Sequence, residues 1–238
     1  MLWDVDYTLV DSDGVGRMLY AAAFWELFGR EMPQPGLMSG RTDRAIALEV
    51  LTLAGLAEPR QHIAAFQAVQ AARAAELAAA VREHSRVLPG AAAAIAALAS
   101  VTGPEVVQSL LTGNIRPLAE VKLGPLGLLD HLDLDAGAYG DVHEVRAELV
   151  HAARRNAARG YGRDFTGQAT VLVGDTPLDV EAALATGARA VGVATGSFTE
   201  QELAAAGAHA VLPDLSDTGQ VLEAILARPV PVPGPPVS

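Results

Sequence analysis

The 238-residue chain has 28 acidic and 17 basic side chains, a formal charge of -11, and no basic cluster, which argues against a general binder of nucleic acid or anionic membranes. Half of its residues are apolar, too many for a chain disordered throughout and enough for one large domain or a core with an insert. There is no cysteine, so disulfides, thiolate metal sites and a cysteine nucleophile are excluded, and no uncharged apolar run approaches the roughly 18 residues of a membrane span. With an N-terminus too short and too acidic for a signal peptide, the expectation is a soluble cytoplasmic protein.

The first predicted element is a strand. Leu2 and Trp3 lead into Asp4-Val5-Asp6-Tyr7-Thr8, followed by the polar turn Asp11-Ser12-Asp13-Gly14. This strand starts almost at Met1, which leaves room for a few upstream residues that would affect stability more than chemistry. Alternate strand residues share a face, so Asp4 and Asp6 converge while Val5 turns into packing. Two carboxylates this close repel unless a cation or a shared proton relieves them, and a hard divalent ion such as Mg²⁺ is the natural partner.

Residues 14–86 read as helices throughout. The first has Val15, Met18, Leu19, Ala22 and Trp25 at three- and four-residue spacing up to Gly29, with Trp25 and Phe28 expected in its core. A second starts near Thr42 and ends before Gly55, and a third runs from Pro59 to about Glu83. Pro89-Gly90 returns the chain to the core. A helix at Ala91 to Ala99, a buried strand at Val106 to Leu111, a helix from Asn114, a short strand within 132–139 and a helix over 143–159 follow. Thr170 to Val173 is a strong buried strand delivering Gly174-Asp175, and Pro177 starts the next helix. Two short strands, at 190–194 and 210–212, surround a helix, a last helix covers 216–227, and 229–238 is a proline-rich tail. Strands alternating with helices imply an α/β fold with a parallel, three-layer sheet.

Asp4-x-Asp6-x-Thr8, Leu110-Leu111-Thr112-Gly113-Asn114 and Gly174-Asp175-Thr176-Pro177-Leu178-Asp179 stand in that order, each between a strand and a helix. In this the chain resembles the haloacid dehalogenase superfamily of phosphotransferases, in particular its phosphoglycolate phosphatase-like branch. The resemblance implies a Rossmann-like core at 1–13 and 87–228 and a helical cap at 14–86. It also implies Mg²⁺-dependent hydrolysis of a small phosphate monoester. Asp4 would be the nucleophile and Asp6 the general acid and base, with Asp6 also lending its backbone carbonyl to the metal. Thr112, Gly113 and Asn114 would hold the phosphate, and Asp175 and Asp179 would join Asp4 and Asp6 around Mg²⁺.

The family also uses a basic residue to hold the phosphoryl group and steady Asp4. No Lys-Pro pair precedes the penultimate helix here, which leaves Lys122 and Arg146 as candidates, with a slight preference for Lys122. Arg41, in the polar loop Ser39-Gly40-Arg41-Thr42-Asp43, is expected to meet the non-reacting end of the substrate. Tyr7 stands where many relatives have glycine, so substrate fit can differ. The six histidines have no metal-ligand spacing. A sugar-phosphate mutase on the same scaffold is the alternative reading, and the oligomeric state is not legible.

Overall fold

In the computed structural model, which describes residues 1–102 and 106–227, the chain runs through β1 (Leu2–Trp3), β2 (Val10–Asp11), α1 (Val15–Phe28), α2 (Asp43–Leu53), α3 (Pro59–Arg73) and α4 (Ala78–His84). It continues through β3 (Arg86–Val87), α5 (Ala91–Ala99), β4 (Ser109–Leu110), α6 (Arg116–Leu123), α7 (Arg146–Tyr161) and β5 (Val171–Gly174). Then come α8 (Pro177–Ala185), β6 (Arg189–Val193), α9 (Glu200–Ala205), β7 (Ala210–Leu212) and α10 (Thr218–Leu226). The proline-rich stretch 229–238 lies outside the described residues.

Five strands pair in parallel in the order β4-β1-β5-β6-β7, so β1 lies inside the sheet. Its register puts Trp3 opposite Leu110 on one side and Val173 on the other. Because side chains alternate across a strand, Trp3, Leu110 and Val173 pack on the face covered by α5 and α10, while Leu2, Leu111 and Leu172 pack on the face covered by α7 and α8. A parallel sheet covered on both faces is the three-layer α/β arrangement expected from the alternating elements. The Trp3 indole donates to the buried Gln108 side chain at 3.1 Å, so its one polar atom is satisfied inside the core.

Helices α1 to α4 are inserted between β2 and β3 and have their own apolar cluster, built on Tyr20, Phe24, Ile46, Val50, Ile63 and Phe66. The buried stripe of α1 is turned from the expected one. Tyr20 and Phe24 face inward, with ring centroids 5.6 Å and 6.5 Å from Phe66, whereas Trp25 is 59% exposed and Met18 52%. Two apolar stripes were available on this helix, and the one carrying aromatic rings four residues apart can interlock with α3. Phe28 does pack against the cluster, as expected.

The single helix expected from Pro59 to about Glu83 is interrupted by a 3-10 turn at Ala74–Leu77. Ala74 there is buried with Leu19, Ile115 and Leu118, so the tighter turn lets the insert follow the surface of α6. The strand expected within 132–139 is instead a 3-10 turn, Leu134–Ala136, capped by the Asp133 side chain, with one parallel bridge from Ala138 to Leu111. An unexpected feature joins the two ends of the insert: Val10 pairs antiparallel with Val87 and Asp11 with Arg86. An Arg86–Asp11 ion pair of 2.5 Å and a hydrogen bond from Leu88 N to Leu9 O at 2.9 Å reinforce the pairing.

Candidate active site

The first predicted strand delivers its acids to the C-terminal edge of the sheet, where open α/β sheets keep their chemistry. Asp4 N donates to Val173 O at 2.9 Å, continuing the β1–β5 ladder and setting Asp4 beside Asp175, the residue after β5. Asp179, in the first turn of α8, joins them, and one carboxylate oxygen from each of the three lies within 4.8 Å of the others. Gly174 permits this approach, since a Cβ there would come within 2.2 Å of the Asp179 carboxyl carbon. Asp179 also closes a capping box with Thr176, its Oδ2 accepting from the Thr176 hydroxyl at 2.7 Å, so the cap of α8 aims this carboxylate at Asp4.

One cation stands in this group. Arg146, the first residue of α7, has Nη2 at 2.8 Å from Asp4 Oδ1 and 2.6 Å from Asp179 Oδ1, and Nη1 donates to Gly40 O at 3.1 Å. The contact with Asp179 is a charge contact off the hydrogen-bonding line, leaving Asp179 Oδ1 and Arg146 Nε buried without hydrogen-bond partners. Three carboxylates thus share one guanidinium. Burial, then the charges of its acidic neighbours, raise the Asp175 carboxyl to about 9 and that of Asp4 to about 7, although Arg146 pulls both down. Burial would lower the Arg146 pKa, but Asp179 and Asp4 outweigh it and raise it.

Asp6 lines the same cavity as Asp4, as the strand alternation predicts, but has a different set of partners. Lys122 Nζ donates to both its oxygens at 2.7 Å, Asn114 Nδ2 to Oδ2 at 2.7 Å, and the Ser12 hydroxyl to Oδ1 at 2.6 Å. Burial alone would raise its pKa, yet Lys122, Asn114 and Ser12 hold it below the usual carboxylate value. The 30% exposure its side chain retains opens on the cavity described below. Of the two cations weighed for the position beside Asp4, the one in contact is therefore Arg146. Lys122, preferred from the sequence, binds Asp6 and the Asn114 side-chain oxygen instead.

Thr112 follows β4, and its hydroxyl accepts from Asn114 N at 3.2 Å and Asn114 Nδ2 at 2.8 Å, folding residues 112–114 into a tight loop. Thr112 does not cap α6, whose N-cap is Ile115 and carries no side-chain cap. The helical insert supplies the missing acceptor: Asp43 Oδ2 accepts from Ile115 N at 2.7 Å, while Asp43 Oδ1 accepts from the Tyr20 hydroxyl at 2.6 Å. Backbone bonds from Asp43 N to Gly113 O (2.6 Å) and Arg44 N to Gly140 O (2.9 Å) complete the contact. Gly113 must lack a side chain, because a Cβ would sit 2.0 Å from Arg41 O. Asp43 was visible in the sequence only as part of a polar loop; nothing in local spacing reveals a carboxylate that accepts from a backbone amide 72 residues away.

These groups surround a cavity of about 290 Å³ between the sheet edge and the insert, lined by Asp4, Asp6, Thr112, Lys122, Arg146 and Asp175, among others. Tyr7, with φ of 54°, lines its mouth, a conformation uncommon for a bulky residue. Arg41 also lines the cavity, but its guanidinium is engaged by Glu49 and by Leu37 O at 3.2 Å. Asp4, Asp175 and Asp179 form the group of acids able to hold a metal among the described residues. Their donor chemistry, hard oxygens with one buried oxygen that accepts no hydrogen bond and too little positive charge, fits a divalent cation. Among the described residues no helix is long and apolar enough to cross a membrane.

A sequence-family model described as haloacid dehalogenase-like hydrolase matches residues 1–184. No protein of curated function matches the chain. Among solved structures the fold is similar to a hydrolase from Pseudomonas syringae, with 21% identity over 94% of this chain and 97% of that one and a TM-score of 0.66. It is similar as well to a predicted phosphoglycolate phosphatase from Haemophilus somnus (16% identity, 92% and 95% covered, TM-score 0.65). A putative β-phosphoglucomutase from Bacteroides vulgatus matches at 17% identity, with 94% and 87% covered and a TM-score of 0.61. Likeness at these identities is one of fold.

Proposed function

The chain belongs to the haloacid dehalogenase-like hydrolases, and from that premise we propose that it is a Mg²⁺-dependent phosphatase acting on a small phosphate monoester through an aspartyl-phosphate on Asp4. The observation that carries this reading is the pairing of Asp4 with Arg146 at one side of a cavity whose other side holds Asp6, with the loop of Thr112 between them.

Phosphoryl transfer asks for an in-line nucleophile, neutralisation of the phosphoryl oxygens and a proton for the leaving group. Asp4 attacks phosphorus, and the ester P–O bond breaks. Arg146, the Thr112 hydroxyl and the Gly113 backbone amide hold the phosphoryl oxygens. Asp6 hands a proton to the departing alkoxide, then takes one from the water that attacks the aspartyl-phosphate and frees Asp4. Such proton transfer typically contributes about 10²- to 10⁴-fold. Lys122, Asn114 and Ser12 favour the carboxylate form of Asp6, the form required to take a proton in the second step. Bound at Asp4, Asp175 and Asp179, with the Asp6 backbone carbonyl as a further ligand, Mg²⁺ would supply charge neutralisation at the phosphoryl group. The helical insert acts as a cap that excludes bulk water from the reacting atoms.

A phosphate-release screen of wild-type and Asp4→Asn protein against small phosphorylated metabolites, with and without Mg²⁺, tests the reading. Turnover requiring both Asp4 and Mg²⁺ supports it. A requirement for a bisphosphate activator would move the assignment to a sugar-phosphate mutase. The absence of release from every compound by folded wild type would remove the phosphatase reading.

A further inference from the structure

The Asn114 carboxamide touches three groups at the reacting end of the cavity at once. Its Nδ2 donates to Asp6 Oδ2 at 2.7 Å and to the Thr112 hydroxyl oxygen at 2.8 Å, and its Oδ1 accepts from Lys122 Nζ at 2.9 Å. Both hydrogens of the amide nitrogen are thereby used. The direction in which this short side chain leaves its backbone therefore decides whether all three contacts form.

That backbone is gripped on both sides by one residue of the insert. Asp43 N donates to Gly113 O at 2.6 Å and Asp43 Oδ2 accepts from Ile115 N at 2.7 Å, so the two peptide groups flanking Asn114 are fixed by the same residue. In a planar trans peptide the C=O and N–H point opposite ways. Holding Gly113 O toward the insert thus sends Asn114 N to the other side, where it meets the Thr112 hydroxyl at 3.2 Å. Holding Ile115 N toward the insert likewise sends Asn114 O away, to accept from Gly140 N at 2.8 Å. Asp43 is itself fixed: it is 5% exposed, and its Oδ1 accepts from the Tyr20 hydroxyl at 2.6 Å. It lines the cavity, but both of its oxygens are engaged by protein donors. Gly140 leaves the room this grip needs, since a Cβ there would lie 2.7 Å from Asp43 N.

We propose that Asp43 is a positioning residue: by gripping the backbone on both sides of Asn114 it aims the Asn114 carboxamide at Asp6, and so sets the geometry of proton transfer at the departing alcohol. The insert then contributes to the acid–base step through a residue that donates nothing to the reacting atoms. Misplacement of a reacting group by about 1 Å can cost on the order of 10²-fold in rate, so a hydrogen bond two residues removed from the chemistry is enough to matter. This inference rests on the phosphatase reading for the role of Asp6, whereas the aim of Asn114 is measured without turnover.

NMR of the Asn114 side-chain amide in metal-free protein reads that aim. In Asp43→Ala its two hydrogens should exchange with water about 10-fold faster than in wild type and move toward the shifts of a free asparagine, whereas Asp43→Asn, which still accepts from Ile115 N, should keep most of the wild-type pattern. With Mg²⁺, kcat/KM for ethyl phosphate and p-nitrophenyl phosphate reads the consequence. Ethoxide needs a proton as it departs and p-nitrophenolate does not, so Asp43→Ala should lower kcat/KM roughly 10- to 100-fold more for ethyl phosphate than for p-nitrophenyl phosphate, with most of the difference recovered in Asp43→Asn. A purely structural loosening would lower both esters alike. Asp43→Ser, whose hydroxyl stops one bond short of the carboxylate oxygens, replaces the alanine variant if that one does not fold. Unchanged Asn114 amide signals in the folded variant, or equal losses for the two esters, would overturn the assignment. Altered Asn114 signals together with no phosphate release by wild type from any compound of the screen would leave the aim of Asn114 assigned to Asp43 and remove the phosphatase reading.

Discussion

Asp4 and Asp6 leave the same strand two residues apart and enter opposite electrostatic surroundings. On the Asp4 side three buried carboxylates share Arg146, and the carboxyls of Asp4 and Asp175 are pushed up. On the Asp6 side one carboxylate takes four hydrogen bonds, two from Lys122 and one each from Asn114 and Ser12, and is pulled down. The difference is one of stoichiometry. A site with more negative charge than its own residues can neutralise is prepared for a cation from outside, whereas a balanced site is complete without one.

Paired substitutions give the sharpest test of that contrast. Both Asp4→Asn and Asp6→Asn should lower phosphate release with Mg²⁺ by about 10³-fold or more, since in the proposed mechanism each removes a group that touches the reacting atoms. Their effects on stability should have opposite signs. Without metal, Asp4→Asn relieves repulsion and should raise unfolding stability by on the order of 1 kcal/mol, while Asp6→Asn strands Lys122 and should lower it by about 1–3 kcal/mol. Urea unfolding measures both, and equal signs would break the comparison.

Next in size is the loss of either cation. Arg146→Met removes the ion-pair partner of Asp4 and Asp179 and should cost about 3–5 kcal/mol in metal-free protein. Lys122→Met leaves Asp6 with Asn114, Ser12 and access to the cavity, and should cost less, about 1–3 kcal/mol. Saturating Mg²⁺ should restore part of the first loss and none of the second.

The pH dependence of metal-free protein follows from the same imbalance. Asp4 and Asp175 bind their protons more tightly folded than unfolded, so above the ordinary carboxyl range the folded state holds the extra protons. That stability is present at low pH and is lost as pH rises through about 7 for Asp4 and about 9 for Asp175. Thermal unfolding should therefore occur at lower temperature at pH 9 than at pH 6, with each 1 kcal/mol worth about 2–4 °C. Mg²⁺ should raise the midpoint more at pH 9, and Asp175→Asn should abolish most of that increment. The smallest effect expected is at Tyr7. Tyr7→Gly removes a bulky residue from positive φ and should stabilise the fold by about 1 kcal/mol in thermal unfolding.

Much of this arrangement is legible without coordinates. A parallel sheet with acids at its carboxyl edge follows from apolar runs ending in Asp4 and Asp175, because strand alternation and strand ends are local properties. The partners of those acids are not local. Lys122 reaches Asp6 across 116 positions and Thr42 reaches Glu144 O across 102, and no periodicity encodes such pairs. Arg146 and Lys122 could not be told apart for the same reason: each is one basic residue on a helix, and only the docking of that helix decides which carboxylate it meets. On α1 the pattern offered two apolar stripes, and only the rings of α3 choose between them.

The antiparallel pairing of Val10–Asp11 with Arg86–Val87 has a mechanical consequence. A helical unit tethered by two independent strings could tumble about either one. Tied to each other where they leave the core, the two strings act as one broad strap, and the insert hangs from it in a single register. In that register Asp43 meets the Gly113 carbonyl and the Ile115 amide, so the strap carries part of the alignment that side chains would otherwise have to supply alone.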